Sequence, residues 1–74
     1  MSYTRRAYVD LAAILASEVD ETEQSEFLTE AEVHLAVETL QLVGEKIADL
    51  FEKDNPRMFD RELFMRNAKI DTTD

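Results

Sequence analysis

His34 is the one side chain with an imidazole suited to acid–base work near neutral pH, and its neighbours are carboxylates with no serine or cysteine nucleophile evident beside them. The chain has no cysteine and a single glycine, Gly44. Disulfides, thiolate metal sites and a glycine-rich phosphate loop are therefore excluded. The acidic run Asp20 to Glu26 is dense enough in carboxylates to be read as a cation loop, but it lacks the glycine and the alternating ligand pattern closed by glutamate that an EF-hand needs. No catalytic residue, metal or cofactor is expected, and the chain is expected to act by binding.

The chemistry that remains is charge. Placed at 100° per residue on a helix, Glu38, Glu45, Asp49 and Glu52 fall along one line, which His34 begins. Leu35 and Leu42, seven residues apart, lie beside that line and away from the main apolar stripe. Together Leu35, Glu38, Leu42, Glu45, Asp49 and Glu52 form a candidate protein-binding surface; the alternative is a solvated face with two isolated leucines. Arg57, Arg61 and Arg66 form a candidate anion-binding set, the alternative being ion pairing and solubility.

The formal charge is −9, from 17 acidic and 8 basic residues. Between Glu18 and Asp54 there are 12 acidic residues and only two basic ones, Lys46 and Lys53. Arg5 and Arg6 precede this stretch, and Arg57, Arg61, Arg66 and Lys69 follow it. A body so negative in its middle repels nucleic acid and suits a host protein with a basic surface. It also lets the ends of one subunit meet the middle of another, so a homo-oligomer is expected.

These residues must be positioned by helices. Residues 29–53 are predicted as one long helix. Thr29 and Glu32 have the spacing of a capping box, Leu28 and Val33 that of a hydrophobic staple, and Asn55-Pro56 ends the ladder. Val33, Val37, Leu40, Gly44, Ile47 and Phe51 repeat at steps of four and three, with Ala36, Val43 and Leu50 widening the stripe. Such a helix is about 36 Å long. Gly44 inside the stripe predicts close backbone approach by another helix, since glycine there costs about 1 kcal/mol relative to alanine.

A shorter helix 1 is predicted over about 4–19, with Thr4 as its cap and Tyr8, Leu11, Ile14, Leu15 and Val19 as its apolar face. Residues 20–28 are predicted as an acidic connector, a solvated loop or an extension of helix 1, with Phe27 and Leu28 anchoring its end to the core. A short third helix is predicted over about 60–68, capped by Asp60, with Phe59 and Phe64 at staple spacing and Leu63 and Phe64 folding back on the long helix. Met58 and Met65 are core-edge filler or an adaptable contact surface. Ile70 to Asp74 is predicted to fray.

The predicted class is thus all-α: a helical hairpin plus a short C-terminal helix, in one domain spanning 1–74, associating into a helical bundle. At this size the core is marginal and packing or association must supply the remainder. No run of 18 apolar residues exists, and Asp10 interrupts the apolar stretch after Arg5 and Arg6. Neither a membrane span nor a signal peptide is expected, and a cytoplasmic protein is.

Asn55-Pro56-Arg57, followed by Phe59-Asp60-Arg61 and Phe64, resembles the Asn-Pro-Arg-Phe-Asp-Arg-x-x-Phe ending of small helical proteins encoded by phages and other mobile elements. Met58 departs from that pattern as an insertion, and the cysteine often found near the family's end is absent around Ala68. The resemblance covers the C-terminal segment alone and implies a mobile-element origin without any activity. Three functions follow as expectations. The first is a small acidic accessory protein that inhibits a host defence protein through its acidic helix face. The second is an oligomer that sequesters an anionic ligand such as a nucleotide signal, with Arg5, Arg6, Arg57, Arg61 or Arg66 beside Tyr3, Tyr8 or Phe59 at a subunit junction. The third is a purely structural assembly module.

Overall fold

A computed structural model of the chain describes residues 3–70. It is all-α, with α1 at Arg5–Glu23, α2 at Glu30–Asp54 and α3 at Arg61–Asn67. The start of α2 carries the complete capping box. Thr29 Oγ1 accepts from the Glu32 N–H at 3.2 Å, and Glu32 Oε1 accepts from the Thr29 N–H at 2.8 Å. Thr4 and Asp60 cap the other two helices through the Ala7 and Leu63 N–H groups. Three orphan helix starts are thereby satisfied by the residues whose spacing predicted it.

The hydrogen bonds from Thr29, first its backbone N–H and then its hydroxyl, hold the Glu32 carboxyl below the ordinary glutamate range. A depressed carboxylate contributes stability that is present above its unfolded pKa and lost as pH falls through the folded one. We expect the stability difference between the native chain and Glu32→Gln to be constant near neutrality. It should shrink only as pH drops below about 4.3 and through the depressed value. Urea melts of both chains across pH 7 to 3 check this; a difference unchanged to pH 3 would show that the box carries no charge dependence.

α1 runs one turn further than the predicted boundary at residue 19. Asp20 to Glu23 continue the helix, the Gln24 N–H closes on the Asp20 carbonyl at 3.0 Å, and Lys69 Nζ clamps Asp20 at 2.8 Å. The connector shrinks accordingly. Phe27 and Leu28 do not anchor it: Phe27 is 93% exposed and Leu28 38%. Ser25 Oγ accepts from the Phe27 N–H in a tight turn, and the aromatic ring is left outside it.

The core lies at the end of the hairpin away from this turn, where all three helices meet. Phe51 is 1% exposed, and its ring lies 5.0 Å from Tyr3, 4.7 Å from Tyr8, 5.4 Å from Phe59 and 5.6 Å from Phe64. The predicted Phe59–Phe64 staple is present, the rings 5.4 Å apart. Ala12, Leu15, Ala48, Ala68 and Ile70 complete the cluster.

Ile70, expected to fray, is instead 3% exposed. A Schellman turn puts it there. Lys69 takes the left-handed conformation at φ 59°, its N–H bonds the Arg66 carbonyl at 3.1 Å, and the Ile70 N–H bonds the Met65 carbonyl at 2.9 Å. The turn lays the Ile70 side chain over Gly44. What approaches Gly44 most closely is therefore this side chain, with Leu15 of α1 behind it, and not the backbone of a neighbouring helix. Asp71 to Asp74 lie outside the described residues.

Four apolar side chains expected inside are out: Ile14, Val43, Leu50 and Leu63 are 57%, 43%, 50% and 47% exposed. α3 covers one side of the α1–α2 hairpin only, so the stripe is buried on that side and open on the other. Met58 is exposed, and Met65 packs at the edge of the core.

Candidate functional site

The acidic line on α2 divides into two parts. Toward the hairpin turn, Leu35 is 66% and Leu42 56% exposed. Glu38 is exposed too, and its carboxylate lies 3.2 Å from His34 Nε2. Glu45 is half-buried. Further along, Arg61 reaches back from α3: its Nη1 lies 2.7 Å from Asp49 and 3.5 Å from Glu52. The same bonds remove Arg61 from the free anion-binding set and Asp49 and Glu52 from the free protein-binding set. Each of the two predicted sites thus partly neutralises the other.

The free acidic region is larger than the ridge. From Glu18 to Glu45 the chain carries nine acidic residues and no lysine or arginine. This stretch is the C-terminal part of α1, the turn and the first two-thirds of α2, folded together as the two-helix end of the molecule. All eight lysines and arginines lie outside this stretch, beside six acidic residues among the described ones, and Lys69 reaches back to pair with Asp20 at 2.8 Å. The field is therefore that of a rod with one strongly negative end.

The arginines gather differently from the predicted set. A groove of about 730 Å³ runs between α1 and α3, with Arg5, Arg57 and Arg61 on its sides and Tyr8, Phe59 and Phe64 in its lining. Arg66 is not part of it, and Arg6 faces Asp10 at 3.7 Å. Asp60 and Glu62 also line the groove, so its positive character is modest; Asp60 is occupied as the α3 cap. Tyr8 contributes a buried hydroxyl with no hydrogen-bond partner. Tyr8, Phe59 and Phe64 are buried in the aromatic cluster, so what the groove offers a ligand is chiefly the Arg5 and Arg57 guanidinium groups, which suit an anion.

Two surfaces escaped the sequence reading. Phe27 bears no helical-period signal, because it lies in the turn. The exposed flank of Ile14, Val43 and Leu50 has the sequence signature of a core, and only the placement of α3 shows it to be open. Among the described residues, no cluster of three or more histidine or acidic side chains is arranged to hold a metal ion, and no helix is long and apolar enough to cross a membrane. Comparison with protein-family models, with curated proteins and with solved structures returned no match to this chain, so its function must be argued from the surfaces just described.

Proposed function

We propose that this chain is a small accessory protein that acts by binding, and that the turn-proximal face of α2 docks on a basic surface of a host protein and inhibits it in the cytoplasm. The observation that carries this reading is Leu35 and Leu42, both more than half exposed and seven residues apart, in a stretch with nine carboxylates and no lysine or arginine of its own, where Lys69 pairs with Asp20 from outside. Exposed leucines supply the desolvated centre of an interface, and the surrounding carboxylates supply steering and orientation. The phage-like Asn-Pro-Arg ending favours a target among host defence proteins.

The test is affinity capture from host lysate with native and altered chains side by side. Leu35→Ser with Leu42→Ser is expected to lower affinity for the captured basic protein about tenfold or more. Glu38→Lys is expected to slow association and to weaken the salt dependence. Capture that is indifferent to all three substitutions removes this face from consideration.

A second reading is favoured by the groove, which brings Arg5 and Arg57 beside Tyr8 and Phe59 within one chain. It is the sequestration of an anionic ligand such as a nucleotide. Calorimetry with a nucleotide panel tests it, and heat that survives Arg57→Ala with Arg5→Ala refutes it.

A further inference from the structure

α1 and α2 run antiparallel, and their levels are marked by two contacts. The Tyr8 ring lies 4.7 Å from Phe51, and Leu15 Cδ1 lies 3.7 Å from where a β-carbon on Gly44 would stand. Tyr8 is thus level with Phe51 and Leu15 with Gly44. α3 packs on one side of this pair, marked by buried Ala12 and Ala48 and by the bonds of Arg61 to Asp49 and Glu52. At 100° per residue, Leu11 and Ile14 of α1 and Val43, Ile47 and Leu50 of α2 all fall on the opposite side. Ile14, Val43 and Leu50 are 57%, 43% and 50% exposed there, and Leu11 and Ile47 are half-buried. From Ala36 to Leu50 this flank of α2 carries no charged residue.

We propose that this flank is a homodimer interface, on which a second copy packs face to face and antiparallel to make a four-helix layer with α3 on each outer side. Two observations select this occupant. The first is register. A two-fold axis that crosses α1 between Ala12 and Ala13 crosses α2, by the levels above, between Lys46 and Ile47. That one axis sets Ile14 beside Leu11 of the second copy and, at once, Val43 beside Leu50 of the second copy. Both apolar pairs close under the same operation, as an isologous contact requires. The second is charge. A parallel pair would superpose two ends that each carry nine carboxylates, of which Asp20 alone is paired with a lysine, Lys69. The antiparallel pair separates those ends by much of the 40 Å length of the molecule, several times the screening length of about 8 Å. It also sets Glu18 and Glu21 level with the Arg5–Arg6 region of the second copy. Leu35, Glu38 and Leu42 lie on another side of α2, so the dimer and the proposed docking face are independent and fail independently.

Sedimentation equilibrium of the full chain over a concentration series is expected to give twice the 8.5 kDa chain mass. Ile14→Glu with Val43→Glu alters two side chains that a single copy already exposes. It is expected to keep the helical circular dichroism and to weaken dimerisation about a hundredfold or more, because charges would be buried at the centre of the interface. Leu35→Glu with Leu42→Glu is expected to leave the mass unchanged. Orientation is read separately, since the chain has no native cysteine. Oxidising Val43→Cys together with Leu50→Cys is expected to give the mixed disulfide, and Leu50→Cys alone none. A mass of one chain at every concentration, a dimer indifferent to Ile14→Glu with Val43→Glu, or a Leu50→Cys disulfide formed with itself would overturn the proposal. The cysteine variants decide the matter even where the glutamates disturb folding.

Discussion

Phe51→Ala is expected to remove most of the stability of the chain. The ring is the centre of the aromatic cluster, in edge or tilted contact with Tyr3, Tyr8, Phe59 and Phe64, and so it joins the segments before and within α1 to α2 and α3. Truncating a buried phenylalanine costs about 3–5 kcal/mol. A domain of this size has a stability near the lower end of the usual range, about 5 kcal/mol. With a urea slope of about 1 kcal/mol/M, the midpoint should fall by about 3 M or more, leaving a chain partly unfolded in buffer. The natural control is Phe27→Ala, which removes the same atoms from a residue 93% exposed and should change stability by no more than about 0.5 kcal/mol. Both melts belong at one protein concentration, because association adds to apparent stability. A loss under about 1 kcal/mol at Phe51 would mean that the five rings are not packed as described.

What the sequence reveals is the local chemistry. The Thr29–Glu32 box, the Asp60 cap, the Phe59–Phe64 staple and the stop at Asn55-Pro56 each involve residues within five positions of one another, and each stands as the spacing predicts. What it conceals is decided by partners far along the chain. The last turn of α1 is held in part by Lys69, 49 residues away, so the acid-rich composition of residues 20–23 misleads. Ile70 is buried because a lysine adopts the left-handed conformation that a glycine would have announced. The acidic line on α2 is legible from 100° geometry alone, yet its division into a free and a partly neutralised half depends on Arg61, which a wheel drawn for α2 cannot contain. Likewise, the stripe on α1 and α2 is wide enough for two partners. Its period shows that it is apolar, but only the seat of α3 shows which flank stays open.

The Gly44–Ile70 contact gives the second large effect, and its sign depends on the background. Gly44→Ala alone adds about 1 kcal/mol of helix propensity. The added β-carbon, however, would overlap Ile70 Cδ1 and lie 3.1 Å from Ile70 Cγ1. The terminal Cδ1 must then swing aside and Cγ1 give by a few tenths of an ångström, in a core where Ile70 is 3% exposed. Such overpacking costs about 1–3 kcal/mol, set against the propensity gain, so Gly44→Ala should destabilise by up to about 2 kcal/mol. Gly44→Leu, which also drives into Leu15, should cost about 3 kcal/mol or more. In a chain already carrying Ile70→Ala, the obstructing atoms are gone and only the propensity term is left. There Gly44→Ala should stabilise, by up to about 1 kcal/mol. The coupling between the two positions is thus about 2 kcal/mol, within the range found for residues in contact. A double-mutant cycle by urea denaturation measures it. If Gly44→Ala stabilises equally in both backgrounds, Ile70 does not rest on Gly44, and the C-terminal turn has no part in holding α3 against the hairpin.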